Sequence, residues 1–100
     1  MSFTGAEIHT FAKELWPIGR SITGDGTRKT LSKIQKKIPK LNIISLPTGT
    51  KVFDWTIPKE WEVISAYIIS PNGQKICNYK VNNLHLVGYS IPIDQIMTLK

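Results

Sequence analysis

One hundred residues make one domain, or one small domain and a fragment of another, and such a chain buries only about 60–65% of its unfolded surface. A hydrophobic share of 41% beside 20% charged residues excludes a disordered chain, and no run approaches the roughly 18 apolar residues that span a bilayer as a helix. The net charge of +6 leaves an acidic partner open, while the single Cys77 excludes an internal disulfide and a cysteine-based zinc knuckle.

The opening MSFTGAEIHTF lacks a basic stretch followed by an apolar block, so no secretory signal is expected and the cytoplasm is the expected compartment. Thr4 and Glu7 have the spacing of a capping box, and Ile8, Phe11, Ala12 and Leu15 form one apolar stripe behind it. Trp16-Pro17 ends this first helix, because the residue before proline is disfavoured in the α region. The stretch RSITGDGTRKTL, residues 20–31, then feeds a second helix that Asp25 or Thr27 is expected to cap and Pro39 to stop after about Ile38. On that helix Lys29, Lys33, Lys36, Lys37 and Lys40 recur at helical spacing with Arg28 beside them, opposite Leu31, Ile34 and Ile38. A solvated face over a buried stripe is the favoured reading. A surface for nucleic acid or another polyanion is the weaker one.

From Leu41 the pattern changes to short runs of isoleucine, valine and aromatics between turn residues. LNIISL, KVFDWTI, EVISAYIIS, KICNYKV and HLVGYSI read as strands. Pro71-Asn72-Gly73-Gln74 reads as a hairpin turn, with Pro47-Thr48-Gly49 and Asn82-Asn83 as further turns. In KVFDWTI, period two places Phe53, Trp55 and Ile57 on one face and Val52, Asp54 and Thr56 on the other. The fold class expected is α+β: two N-terminal helices followed by a small antiparallel β unit. SIPIDQIMTLK ends where Thr98 could start a helix, which reads as a truncated unit and predicts self-association through uncovered apolar surface.

Little in the chain carries chemistry outright. The 20–31 stretch has neither the P-loop pattern nor a dinucleotide fingerprint, since no strand precedes it and only Gly24 and Gly26 stand as G-x-G. Its helix N-terminus can hold an anion with help from Arg20, Ser21 and Thr23, or Asp25 simply caps and the glycines permit a tight turn. His9 and His85 have no partner at metal-ligand spacing, so neither is assigned as a ligand. Cys77 reads as strand packing, Asp54 as a turn-side or edge hydrogen-bonding group, and the three tryptophans as core anchors.

Four strings together are specific: WPIGRSITGDGTRKTL (16–31), LPTGTKVFDWTIPKEWEV (46–63), AYIISPNGQKI (66–76) and NNLHLVGYSIPID (82–94). They resemble the N-terminal part of a bacterial zinc-aminopeptidase-like family associated with polysaccharide biosynthesis. In that family an exopeptidase-like domain carries an inserted small β domain of unknown function, and a winged helix follows. The resemblance implies that residues 1–45 are the helical opening of the exopeptidase-like domain and residues 46–100 most of the inserted β domain. It implies zinc in the parent protein, no metal ligand and no catalytic residue in this chain, and a peptide or other amide as substrate. The implied partner is the remainder of the exopeptidase-like domain. The R-S-I-T-G-D-G string matches a family signature, which implies a lip of the substrate cleft or a hinge against the inserted domain. That makes Arg20, Ser21, Thr23 and Asp25 candidate substrate-binding residues, with simple capping over Asp25-Gly26-Thr27 the alternative.

Overall fold

The computed structural model describes residues 2–99. Thr4 caps helix α1, Gly5–Leu15, by accepting from the Glu7 N–H at 3.2 Å, and the Glu7 carboxylate returns to the Thr4 N–H at 2.8 Å. Both halves of the capping box are therefore made. The Thr4 backbone N–H, and after it the Thr4 hydroxyl, hold the Glu7 carboxyl below the ordinary carboxylate range. The helix ends at Leu15 as expected, yet Trp16 keeps α-region dihedrals of −51° and −45°. Pro17 ends the helix by lacking an N–H, and Ile18 closes the turn onto the Leu15 carbonyl at 3.1 Å. Helix α2, Asp25–Lys37, follows the loop, and Ile38 leaves the helical region just before Pro39.

The β unit is smaller and more divided than its pattern predicts. Strands β1 (Lys51–Val52) and β2 (Trp55–Thr56) pair antiparallel, Lys51 opposite Thr56 and Val52 opposite Trp55. KVFDWTI is thus a hairpin and not one strand. The correction has a local cause: Phe53 turns at a positive φ of 55°, so Phe53-Asp54 forms the two-residue connection. Strands β3 (Ile68–Ile69) and β4 (Lys75–Ile76) make a second antiparallel pair, Ile68 opposite Ile76 and Ile69 opposite Lys75. Their turn is the expected one, with Gly73 at φ 82° and its N–H on the Ser70 carbonyl at 2.8 Å.

LNIISL has no partner strand among the described residues, and without a ladder it is not a strand. HLVGYSI is not one either: Asn83–His85 is a 3-10 turn, begun by Asn82 accepting from the Leu84 N–H at 2.9 Å, and Tyr89 sits at φ 65°. Cys77 lies outside β4 at φ 51° and is exposed, so the expected strand packing is not found. The described architecture is α+β, two helices followed by two small antiparallel strand pairs.

Burial is slight. Among the described residues Ile57, at 9% exposed, is the buried hydrophobic one, and Trp16 and Trp55 stay about half exposed rather than anchoring a core. The chain exposes 8989 Å², whereas a compact 11.3 kDa monomer exposes about 5,700 Å². Its radius of gyration of 17.8 Å also exceeds the roughly 13 Å of a compact 100-residue domain. No helix among the described residues is long and apolar enough to cross a membrane.

Candidate functional site

The R-S-I-T-G-D-G loop joins α1 to α2 and is braced by its own polar atoms. The Ser21 hydroxyl donates to the Thr23 carbonyl at 2.6 Å, and the Thr27 hydroxyl donates to the Ser21 carbonyl at 2.7 Å. Neither Asp25 nor Thr27 caps α2, contrary to expectation: the N-cap is Gly24, which offers no side chain. Its φ of 155° suits glycine, and a Cβ there would meet Ser21 Oγ at 3.0 Å and Glu62 Oε1 at 3.3 Å. The free N–H of Asp25 instead donates to the Glu62 carboxylate, from 37 residues downstream. The positive end of the α2 dipole therefore holds an anion, and that anion belongs to the chain itself.

As the first helical residue, Asp25 turns its own carboxylate outward, to Lys29 Nζ at 3.1 Å and Arg28 Nε at 3.6 Å. The hydrogen bond from Lys29, with its charge, holds the Asp25 carboxyl below the ordinary range. Arg28 grips Glu60 in a fork, Nη1 to Oε1 and Nη2 to Oε2, the latter at 3.1 Å. That pairing pushes Arg28 up and Glu60 down. Two glutamates from one short segment are thus fastened to one helix end. Trp61, between them, sets its ring 5.3 Å from that of Tyr89 and donates its indole N–H to the Ser90 carbonyl at 3.1 Å. The Tyr89 hydroxyl in turn accepts from the Ile22 N–H at 2.7 Å, and Asn83 donates to the Trp16 carbonyl at 2.8 Å.

This folding-back leaves an open-sided cleft of about 410 Å³ over the loop. Arg20, Ser21, Asp25 and Lys29 line it from the helix side, Trp61 and Tyr79 from the other. Of the four residues marked by sequence, Arg20, Ser21 and Asp25 come together on the wall. Thr23 does not line the cleft, its carbonyl being engaged by Ser21. Arg20 Nη1 donates to the Leu15 carbonyl at 2.9 Å and to Thr30 Oγ1 at 3.4 Å, tying the end of α1 to α2. Its Nε and Nη2 carry no protein hydrogen bond among the described residues, whereas Arg28 uses both Nη1 and Nη2 on Glu60. Such a wall combines a cation with donors to spare, an acidic lip and two aromatic faces, which suits a polar chain with a carboxylate or carbonyl.

Sequence reasoning did not find Glu60, Glu62, Trp61, Tyr79 and Tyr89, because nothing local ties them to the loop. The basic face of α2 is partly neutralised: Arg28, Lys29 and Lys33 each meet a carboxylate, Lys33 that of Glu14 at 3.7 Å. His9 lies in α1, and His85 ends the 3-10 turn rather than sitting in a strand. Among the described residues no three His, Cys, Asp or Glu side chains gather where they could hold a metal ion.

The chain belongs to the family described as "Domain of unknown function (DUF4910)", which matches residues 9–96 and so takes in the loop, the cleft and both hairpins. It is 52% identical over 98 residues to a Clostridium acetobutylicum protein named "Putative polysaccharide biosynthesis protein with aminopeptidase-like domain". Those residues are 98% of this chain and 22% of that protein. A crystal structure of a "putative peptidase" from Clostridium acetobutylicum superposes with a TM-score of 0.81 at 52% identity, over 89% of this chain and 21% of that one. The resemblance expected from the four strings is met by these relatives. The chain spans about a fifth of their length.

Proposed function

We propose that this chain is the N-terminal region of a zinc-dependent aminopeptidase-like hydrolase, and that its own part is to build one wall of the substrate cleft. On this reading residues 1–45 open the exopeptidase-like domain, and residues 46–100 belong to the inserted β unit that narrows the cleft. The substrate is a peptide or another amide, and the partner is the remainder of the exopeptidase-like domain. Identity of 52% with an aminopeptidase-like protein carries the reading, and the spare donors of Arg20 on the cleft wall support it. Among the described residues no three His, Cys, Asp or Glu side chains gather around a common point. The metal and its chemistry would reside in the remainder. This chain's residues bind and orient: the Arg20 guanidinium faces a carboxylate or carbonyl oxygen of the substrate, and Trp61 and Tyr79 exclude water along its side.

The test uses this chain grafted in place of the matching 98 residues of the Clostridium relative. Arg20→Ala should lower kcat/KM for an aminopeptidase substrate at least tenfold, with a modest loss of stability from the freed Leu15 carbonyl. Full activity beside a lowered melting temperature would make Arg20 a tie between helices and nothing more.

A further inference from the structure

Residues 91–99, IPIDQIMTL, carry no secondary structure, and among the described residues none of their backbone groups is hydrogen-bonded within the chain. Every one of them is exposed. The segment is nevertheless patterned. At period two, Ile91, Ile93, Met97 and Leu99 share one face, interrupted by Gln95, and these four are 77%, 62%, 67% and 103% exposed. Polar backbone without partners beside a row of bare isoleucine, methionine and leucine describes a strand without a sheet.

We propose that residues 91–99 form an edge strand that docks onto a sheet edge of the peptidase-like remainder carried by the longer relatives. The proposal rests on the reading above that this chain is part of such a protein. The position of Pro92 decides which edge docks. In a strand, the N–H and C=O of a residue point to one side and those of the next residue to the other. Residues 91, 93, 95, 97 and 99 therefore present a complete row of five donors and five acceptors. The opposite row, 92, 94, 96 and 98, lacks the proline N–H and carries the charge of Asp94, the features that mark an outward edge. The odd-numbered row docks and the even-numbered row faces water.

The area argues for a large occupant over a second copy. The chain exposes about 3,300 Å² more than a compact monomer of its mass. A standard interface covers about 800 Å² on each partner and an obligate homodimer's about 1,000–2,500 Å², so one dimer contact leaves part of that excess bare. The relatives supply a body more than three times the size of this chain, since the matched residues are 22% of their length.

Hydrogen exchange, read residue by residue with electron-transfer fragmentation, tests the proposal on the grafted protein and on the 100-residue chain. In the graft, the amides of Ile93, Gln95 and Met97 should exchange at least a hundredfold more slowly than those of Asp94, Ile96 and Thr98. In the 100-residue chain all six should exchange at the rate of an unfolded peptide. Met97→Pro should abolish the protection in the graft, and Ile96→Pro should leave it. Fast exchange at all six in a graft that folds overturns the proposal, as does protection without alternation. Protection in the 100-residue chain that grows with concentration overturns it in favour of a second copy. Protection in a graft that hydrolyses no amide would leave this strand standing and remove the peptidase reading; turnover with fast exchange would do the reverse.

Discussion

Replacing Gly26 by alanine sets two effects of opposite sign against each other. Gly26 is the second residue of α2, where helix propensity alone favours alanine by up to about 1 kcal/mol. A Cβ at that position, however, would stand 1.8 Å from the Gly19 carbonyl oxygen and 2.9 Å from its carbon. Carbon and oxygen touch comfortably only from about 3.3 Å, so the helix and the loop would have to part by about 1.5 Å. Both partners are backbone and cannot swing aside. Overpacking of this kind costs about 1–3 kcal/mol, so set against a propensity gain of about 1 kcal/mol it leaves a net loss of about 0–2 kcal/mol. In a domain of this size such a loss lowers the melting temperature by up to about 16 °C. Gly19→Ala offers the contrast. Its Cβ would meet the Tyr79 hydroxyl at 1.8 Å, the far end of a side chain that can rotate away. Gly19→Ala should cost less than Gly26→Ala, and adding Tyr79→Phe should recover part of that smaller loss. Thermal melts of the three variants decide the matter. A stabilised Gly26→Ala would show that propensity governs this position and that the close approach of loop and helix is wrong.

Two further outcomes follow from the local geometry. Thr4→Ala removes one half of the capping box and should cost about 0.5–2 kcal/mol, read as lost helicity and a lower melting temperature; an unchanged melt would mean that α1 does not depend on its cap. The Glu60 and Asp25 carboxyls are held below their ordinary values by Arg28 and Lys29 respectively. Their contribution is therefore fully present above the ordinary carboxylate range and disappears as pH falls through their lowered values. Urea midpoints measured downward from pH 6 should decline on acidification, and Glu60→Gln should flatten that decline; a variant as acid-sensitive as the parent would refute the fork.

Much of what depended on neighbours in sequence was legible. Thr4 and Glu7 stand three residues apart, and the Pro71-to-Gln74 turn carries its mechanism in four residues. The two helices and the antiparallel character of the β unit followed from the same local signals. Phe53-Asp54 was missed because a phenylalanine at positive φ contradicts turn chemistry, so the run containing it reads as one strand. The cap of α2 was missed for another reason. Glu62 lies 37 residues from Asp25, and Tyr89 lies 67 from Ile22; no periodicity reports contacts of that range. Of the residues marked in the loop, Arg20, Ser21 and Asp25 lie on the cleft wall and Thr23 does not. That an internal carboxylate occupies its helix end is a property of the folded chain alone.

On the reading proposed above, this chain supplies a wall of a peptidase cleft whose chemistry lies elsewhere in a longer protein. Release of a chromogenic amine from an amino-acid amide tests it most directly, assayed side by side for the 100-residue chain and for the graft in the Clostridium relative. Turnover is expected of the graft and none of the isolated chain. Turnover by the isolated chain, or a folded, zinc-loaded graft that cleaves no amide, would contradict it.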